Sequence, residues 1–120
     1  MNNKENSMDL YIDFYEFTMA QVLFDNNKHE EIAYFDYFFR KVPDEGGFAI
    51  MAGLQQQIEF IVNQRFSPED IDYLRAQGMS EGFLEYLKDY KFTGDIWAIP
   101  EGTPVFPNEP LVTIRGTMLE

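Results

Sequence analysis

The stretch Gly94-Asp95-Ile96-Trp97-Ala98-Ile99-Pro100-Glu101-Gly102 marks the point where the chain changes from helical to strand periodicity. Before it, most apolar residues recur at helical spacing, and after it short apolar runs alternate with turn residues. The prolines at positions 100, 104, 107 and 110 keep these runs short and place them at sheet edges or in turns. Helices followed by a cluster of short strands are typical of an α+β domain. The sequence therefore predicts an α+β fold, with N-terminal helices and short mixed or antiparallel strands.

Two helices that precede this stretch have clear boundaries in the sequence. Ser67-Pro68-Glu69-Asp70 predicts a helix start, because serine caps the first turn, proline fits there and acidic residues complement the helix dipole. Gly78 ends this helix, and Ser80 begins a shorter one. The buried side of the shorter helix is predicted to carry Phe83, Leu84 and Leu87. Another amphipathic helix is predicted over about residues 51–64, and we expect these helices to be scaffold.

The segment Asp13-Phe14-Tyr15-Glu16-Phe17-Thr18-Met19 opens the first predicted helix, which is capped by Asp9 or Asp13 and runs to about Asp25 or Asn26. Its side chains fall on two adjacent faces at helical spacing. One face has Tyr15, Thr18, Met19 and Val22, and the other has Phe14, Phe17, Gln21 and Phe24. A helix that is apolar on most sides is normally buried, so we expect a core helix whose polar groups have partners or a ligand.

Residues 32–40 predict a strand with aromatic side chains on both faces, which fits a strand that is covered on both sides. Asp36 interrupts the apolar run and needs a partner. The turn at residues 26–29 contains the only histidine, His29, which we interpret as a surface residue without a catalytic role. The segment Pro43-Asp44-Glu45-Gly46-Gly47 is a turn that could bring the backbone close to a ligand or simply reverse the chain.

The composition excludes several kinds of site. The chain has 120 residues, no cysteine and one histidine, so a disulfide framework, a thiolate nucleophile and a clustered metal site are not expected. Its formal net charge of −12 disfavours binding to nucleic acid or anionic lipid. No apolar run has the length of a membrane span and the first residues lack the apolar core of a signal peptide, so we expect a cytoplasmic protein. Residues 1–7 are expected to be flexible, and residues 8–120 to form one domain.

Four separated blocks of sequence, taken together and in their order along the chain, are more specific than any one of them alone. They are Asp13-x-Tyr15-x-x-Thr18-Met19, Phe35-Asp36-x-Phe38-Phe39-Arg40-Lys41, Gly46-Gly47-Phe48-Ala49-Ile50-x-Ala52-Gly53-Leu54, and Gly94-Asp95-Ile96-x-Ala98-Ile99-Pro100-Glu101-Gly102 followed by Glu109-Pro110-Leu111. With these blocks the chain, from about residue 8 to residue 120, resembles nicotinate phosphoribosyltransferases. The resemblance implies the α/β-hammerhead-like N-terminal domain of a type II phosphoribosyltransferase, without the barrel domain. Nicotinamide-using relatives carry a lysine and a histidine in place of Glu16 and Met19, which favours the nicotinate branch.

The resemblance also implies a reaction, cofactors and partners. The family joins nicotinate to phosphoribosyl pyrophosphate, which gives nicotinate mononucleotide and pyrophosphate in NAD salvage. This reaction is usually coupled to ATP hydrolysis, so ATP and Mg²⁺ are implied for a full-length enzyme, with no covalently bound cofactor. Family members are typically homodimers in which the N-terminal segment of one subunit completes the active site on the barrel of the other. We therefore expect no catalytic residue and no metal ligand within this segment, and no activity of the segment alone.

Five residues are implied by the resemblance to bind substrate. Tyr15 would stack on the pyridine ring of nicotinate, since an aromatic face suits a flat heteroaromatic ring. Arg40 would face the phosphates of the phosphoribosyl donor, because a guanidinium offers two directed donors to phosphate oxygens. Lys41 would add to the phosphate field. Asp13 would orient Tyr15 or the opposing subunit, or only cap the helix, and Thr18 is undecided between helix architecture and support of the site.

Two departures from the family pattern leave other functions open. Ile12 stands where the family often has threonine, and full family members are several times longer, so the barrel, the phosphate loops and the phosphorylated histidine lie outside this chain. An exposed apolar face is expected where the barrel would dock. One alternative function is a non-catalytic acidic domain that binds a partner protein through its strand edges or its first helix. Another keeps the reaction but uses nicotinamide or quinolinate.

Overall fold

A computed structural model describes residues 10–120, which form four helices and five strands. The helices are α1 (Phe14–Asp25), α2 (Leu54–Asn63), α3 (Pro68–Ala76) and α4 (Glu81–Lys88), with a 3₁₀ turn at Pro43–Glu45. The strands are β1 (Ile32–Tyr37), β2 (Ala49–Ile50), β3 (Asp95–Ala98), β4 (Pro104–Val105) and β5 (Val112–Thr117). This arrangement confirms the predicted α+β fold, and residues 10–120 form no barrel.

The larger sheet contains three antiparallel strands in the order β1-β5-β3, and β2 pairs separately with β4. The register places Asp36 opposite Thr113. The Thr113 hydroxyl donates a hydrogen bond of 2.5 Å to the Asp36 carboxylate. Asp36 therefore has the partner that its place in an apolar strand required.

One face of this sheet stays largely open within residues 10–120. The alternation of side chains places Tyr34, Trp97 and Arg115 on this face together with Asp36. Tyr34 is 66% exposed and Trp97 is 53% exposed. Arg115 is paired across the sheet with Asp95 at 3.2 Å. The open face thus combines exposed aromatic rings with charges that are compensated locally.

The interior is divided into two apolar clusters. The helical cluster joins α1, α3 and α4 and contains Phe17, Ile71, Leu74, Met79, Phe83, Leu84 and Leu87. The sheet cluster lies beneath β5 and contains Met51, Val105, Leu111 and Val112. The predicted buried side of α4 is confirmed, because three of its residues belong to the helical cluster.

The predicted starts of α3 and α4 are also confirmed. The Ser67 hydroxyl accepts from the Asp70 backbone N–H, and the Asp70 carboxylate accepts from the Ser67 N–H, which together form a capping box. Ser80 caps α4 by accepting from the Phe83 N–H. After α3 the chain turns at Gly78, whose φ of 93° is open to glycine at little cost. These local signals act within one turn of helix, which is why the sequence predicts them well.

Helix α2 begins at Leu54, later than the predicted start near residue 51. Gly53 has a φ of 89°, which is incompatible with helix continuation on its N-terminal side. Before it, Met51 is held in an extended pairing, since its N–H donates to the Thr103 carbonyl and its carbonyl accepts from the Gly102 N–H, both at 2.9 Å. Tertiary pairing with the turn at residues 100–103 therefore decides this boundary.

Gly94 is required by a close approach of two backbone segments. A Cβ at this position would lie 2.0 Å from the carbonyl oxygen of Arg115 and 2.9 Å from the ring of Phe92. Both distances are shorter than van der Waals contact, so any side chain at this position would displace β5 or the ring. This explains the glycine immediately before β3.

Two predictions of burial are wrong for residues 10–120. Helix α1 buries only Phe17, and β1 is exposed on both faces rather than covered. Both elements are rich in apolar residues, as the sequence shows, but the described residues cover only one side of α1, mainly through α3 and α4, and leave most side chains of β1 exposed. The apolar residues are thus present as predicted, but residues 10–120 do not bury most of them.

His29 is not the free surface residue that its polar turn suggests. Its ring lies beside Phe24 and Tyr86, with ring centroids 4.9 and 5.0 Å apart. Its Nδ1 is buried and has no hydrogen-bond partner among residues 10–120. The contact with Tyr86 joins the turn after α1 to α4, and a contact so distant in sequence has no local signal.

The prediction that Asp13 caps α1 is confirmed in part. Asp13 occupies the N-cap position, but its side chain makes no capping hydrogen bond. The first turn is closed instead by the backbone, where the Glu16 N–H donates to the Asp13 carbonyl at 3.0 Å. The alternative cap, Asp9, and the predicted flexible residues 1–7 lie outside the described residues.

Candidate functional site

A cleft of 590 Å³ opens between α1, α4 and the sheet. The end of α2 and residues 118–120 complete its walls. Most of the lining side chains are apolar, and three carboxylates reach it: Asp13, Glu16 and Glu120. Asp13 and Glu16 are three residues apart on α1, so helical geometry brings both to the same wall. A cleft with this lining favours an apolar ligand or an apolar segment of protein over an anion.

Glu120 closes one end of this cleft and is held by several donors. Its carboxylate accepts from the Thr93 N–H and hydroxyl and from the Thr117 N–H. Desolvation raises the pKa of the Glu120 carboxyl, but the hydrogen bonds from Thr117 and Thr93 outweigh it and lower that pKa below its ordinary value. Glu120 therefore ties the segment that precedes β3 to the end of β5.

Tyr15 lies on the outward side of α1, where 55% of its surface is exposed. On the same face of the helix, Val22 and Met19 are also exposed, and Met19 lines the cleft as well. The pKa of the Tyr15 phenol is raised, first by a hydrogen bond to the Glu16 carboxylate and then by the negative charge of that carboxylate. The ring of Tyr15 is therefore free to meet a planar ligand, while its hydroxyl is engaged on the helix.

Thr18 is placed by the structure in the architecture of α1. Its hydroxyl donates to the carbonyl of Tyr15 at 2.8 Å, a common bond for threonine in a helix. The side chain is exposed and does not line this cleft. The hydroxyl bonds to the backbone that carries Tyr15, and support of a site by Thr18 stays a prediction.

Arg40 and Lys41 lie three and four residues after the end of β1 and are both exposed. Neither makes an ion pair with any of residues 10–120. Four other cations in the same range are paired with carboxylates: Lys28, Arg75, Lys88 and Arg115. In a chain with a formal net charge of −12, an adjacent pair of uncompensated cations is the most favourable place for a phosphate.

The described residues do not enclose the five predicted site residues in one pocket. Of these five, only Asp13 lines the large cleft, while Tyr15, Thr18, Arg40 and Lys41 lie on exposed surface. A binding site around Tyr15 or Arg40 would need walls from outside residues 10–120. Sequence reasoning missed Glu16 as the carboxylate that raises the pKa of the Tyr15 phenol, because adjacent residues on a helix do not normally face each other.

The described range offers neither a cluster of metal ligands nor a membrane-spanning helix. Residues 10–120 contain no group of three histidine or carboxylate side chains that could hold a metal ion. Among the same residues, no helix is long and apolar enough to cross a membrane.

Comparison with known proteins identifies the family. Residues 10–120 match the family model described as the nicotinate phosphoribosyltransferase N-terminal domain. The chain is 43% identical over 112 residues to a nicotinate phosphoribosyltransferase of Mycobacterium tuberculosis, covering 92% of this chain and 24% of that protein. It is 38% identical over 118 residues to the Bacillus subtilis nicotinate phosphoribosyltransferase, covering 98% and 24% of the two chains. The chain thus spans about a quarter of the length of these relatives.

Solved structures agree with this assignment. The crystal structure of human nicotinic acid phosphoribosyltransferase superposes with a TM-score of 0.81 at 30% identity, covering 90% of this chain and 22% of that one. The nicotinate-nucleotide pyrophosphorylase from Pyrococcus furiosus superposes with a TM-score of 0.67 at 16% identity over 99% of this chain and 23% of that one, which shows a shared fold alone. The fold, the family model and the relatives therefore agree that this chain belongs to the nicotinate phosphoribosyltransferase family and corresponds to its N-terminal domain.

Proposed function

We propose that this chain acts as the N-terminal domain of an enzyme that joins nicotinate to phosphoribosyl pyrophosphate. The products are nicotinate mononucleotide and pyrophosphate, and the reaction would serve NAD salvage with coupled hydrolysis of ATP. Membership of the family supports the reaction. The observation that carries the assignment of residues is the uncompensated pair Arg40 and Lys41, which stays exposed in a strongly acidic chain.

In this proposal Tyr15 and Arg40 have separate tasks. Tyr15 presents an open aromatic face on α1, which can stack in an offset manner on the pyridine ring of nicotinate. Arg40 presents a guanidinium whose paired N–H groups match the oxygens of the donor's phosphates, and Lys41 adds positive charge beside it. Asp13, which caps no N–H with its side chain, stays available to a group from outside the described residues.

The proposed site is shared between subunits of a homodimer. Its support is the lack of walls around Tyr15 and Arg40, together with the exposed apolar side chains of α1 and β1. Contiguous apolar surface of this kind marks an interaction site in a soluble protein. Residues 10–120 contain no group of three histidine or carboxylate side chains that could hold a metal ion, so Mg²⁺ is not assigned to them.

The test is a chimaera in which residues 10–120 replace the matching region of the Bacillus subtilis relative. We expect Tyr15→Ala to raise the KM for nicotinate about 5-fold, since stacking contributes about 1 kcal/mol. Tyr15→Phe keeps the ring and should leave that KM unchanged. Arg40→Ala should raise the KM for phosphoribosyl pyrophosphate about 10-fold or more, because hydrogen bonds to charged groups contribute about 1.5–3 kcal/mol.

Two results would contradict the proposal. A folded chimaera that forms no nicotinate mononucleotide would show that this domain does not serve the reaction. An active chimaera with unchanged KM values in Tyr15→Ala and Arg40→Ala would remove both residues from the site. Competition among nicotinate, nicotinamide and quinolinate in the same assay tests the choice of base.

A second candidate function is a non-catalytic acidic interaction domain. It is favoured by the open sheet face and by the exposed aromatic side chains of β1, which are typical of protein interfaces. Self-association or capture of a partner by the chain, without any response to nicotinate or phosphoribosyl pyrophosphate in the chimaera, would support this function instead.

A further inference from the structure

The segment Phe106-Pro107-Asn108-Glu109-Pro110-Leu111 forms a turn that attaches to the end of β1. The Leu111 N–H donates to the Tyr37 carbonyl, and the Asn108 N–H donates to the Phe39 carbonyl, both at 2.8 Å. The second bond ends one residue before Arg40. The turn therefore holds the backbone that leads directly into the proposed phosphate-binding side chain.

The turn keeps its shape through two features of its own. Asn108 has a φ of 64°, a left-handed conformation that asparagine adopts at lower cost than most residues. The Glu109 carboxylate accepts from the Phe106 N–H at 3.0 Å, while the Glu109 N–H donates to the Phe106 carbonyl at 3.4 Å. Side chain and backbone of Glu109 thus close the turn on the same residue.

The turn is anchored to the interior at its far end. Leu111 is buried in the sheet cluster, and its carbonyl accepts from the Ile99 N–H at 2.9 Å. Phe39 packs against the same cluster. Arg40 is consequently the first residue after a backbone that is fixed on both sides, although its own side chain is exposed.

We propose that Asn108 and Glu109 are positioning residues for Arg40. Their turn fixes the end of β1 and so fixes the point from which the guanidinium extends. A fixed origin lowers the conformational entropy that a long side chain loses when it binds phosphate. This inference rests on the proposed role of Arg40, and it gives a role to Glu109-Pro110-Leu111, a block that the proposed function leaves unused.

The first experiment measures order in the chain itself, without substrate. In Asn108→Val the branched side chain opposes the left-handed φ, so the backbone of residues 38–41 should gain fast motion in ¹⁵N relaxation, and the amides of Asn108 and Leu111 should exchange at least 10-fold faster. Asn108→Gly accepts this φ and should keep the order. Glu109→Ala should loosen the same residues, and Glu109→Gln, which retains an acceptor oxygen, should restore them.

The matched control is Asn27→Val. Asn27 also has a positive φ, of 55°, in the turn after α1, where its N–H donates to the Phe24 carbonyl. This variant introduces the same backbone strain at another turn, so residues 38–41 should stay ordered. Loosening by Asn27→Val equal to that by Asn108→Val would overturn the inference, because it would show a general effect of strain.

The second experiment measures kinetics in the chimaera. Asn108→Val and Glu109→Ala should raise the KM for phosphoribosyl pyrophosphate about 3- to 10-fold with little change in kcat, and Asn108→Gly, Glu109→Gln and Asn27→Val should not. Ordered residues 38–41 in both disruptive variants would overturn the positioning role. Residues 38–41 could instead loosen in both disruptive variants while the KM stays unchanged in these variants and in Arg40→Ala. That result would support the positioning of residues 38–41 and contradict the proposed role of Arg40. If only Arg40→Ala changes the KM, the inference about Asn108 and Glu109 fails.

Discussion

Helices α4 and α1 are both rich in apolar residues, yet they are used in opposite ways. Helix α4 is eight residues long and fully buries Phe83 and Leu84, whereas α1 is 12 residues long and buries only Phe17. The partners of α4 lie within residues 10–120. The outward side of α1, which carries Tyr15, is left exposed by residues 10–120. Helix α4 is therefore a scaffold element whose packing is satisfied within residues 10–120, whereas α1 presents an apolar surface that these residues leave exposed.

The charged residues repeat this contrast. Arg75 lies between Asp72 and Glu81, which raises the pKa of Arg75 and lowers that of Glu81, in each case first through the hydrogen bond between them. Arg40 has no such partner in the described range. A cation that is left uncompensated in an acidic protein is a better candidate for ligand binding than one that is already paired.

The largest difference between the two regions should come from two phenylalanines. Phe83→Ala removes a ring with 0% exposure, so we expect a loss of about 4 kcal/mol in the free energy of unfolding. Phe14→Ala removes a ring that is 42% exposed and should cost about 1 kcal/mol or less. Urea denaturation of both variants measures this. Equal losses would show that the first turn of α1 is packed as tightly as α4, and the two helices would then not differ in this respect.

A second comparison uses two tyrosines at high pH. Burial raises the pKa of Tyr90 to about 12, whereas the ordinary value is 10.0, so the unfolded chain loses this proton first. The stabilisation is complete below pH 10 and is lost as the pH rises towards 12. Since one pH unit between the two pKa values corresponds to about 1.4 kcal/mol, the loss should reach about 2 kcal/mol at pH 12.

Tyr15 serves as the control, because its pKa is raised mainly by Glu16, whereas that of Tyr90 is raised mainly by burial. Tyr90→Phe should remove this part of the pH dependence, and Tyr15→Phe should not. The pKa of Tyr15 is raised by the neighbouring Glu16, so absorbance titration of Glu16→Gln should show it returning towards its ordinary value while Tyr90 is unaffected. An unchanged alkaline profile in Tyr90→Phe would contradict the prediction.

The smallest expected difference lies at the helix starts. Ser67→Ala removes a capping box and should cost about 1 kcal/mol in thermal or urea unfolding. Asp13→Ala removes a side chain that makes no capping bond, so the change should stay within about 0.5 kcal/mol. A larger loss for Asp13→Ala than for Ser67→Ala would mean that Asp13 supports α1 in a way that its geometry does not show.

The part of the fold that the sequence predicts well depends on local signals. Ser67, Gly78 and Ser80 set helix ends through contacts within one turn, and the apolar spacing of α4 identifies its buried side. The start of α2 was misplaced because Met51 pairs with a turn distant in sequence. His29 was misread for the same reason, since its contact with Tyr86 is long-range. Periodicity shows that α1 and β1 are apolar, but it cannot show which body covers them.

The candidate site could be predicted only in part. The resemblance predicts Tyr15 and Arg40 as site residues, and the structure adds that Tyr15 is exposed and that Arg40 makes no ion pair within residues 10–120. The cleft between α1, α4 and the sheet depends on packing between elements, so no spacing in the sequence indicates it. The turn at Asn108 and Glu109 is attached by backbone hydrogen bonds to Phe39 and Tyr37, which side-chain patterns do not encode.

The open face of the sheet can be followed by tryptophan fluorescence. Trp97 is the only tryptophan of the chain, and it lies on that face with half of its surface in water. Its fluorescence therefore reports on a single place in the molecule. Any body that covers the face, whether another part of a longer polypeptide or a second protein, will transfer this indole to an apolar setting and shift its emission. Trp97 is therefore an intrinsic fluorescent probe for binding at the open face of the sheet.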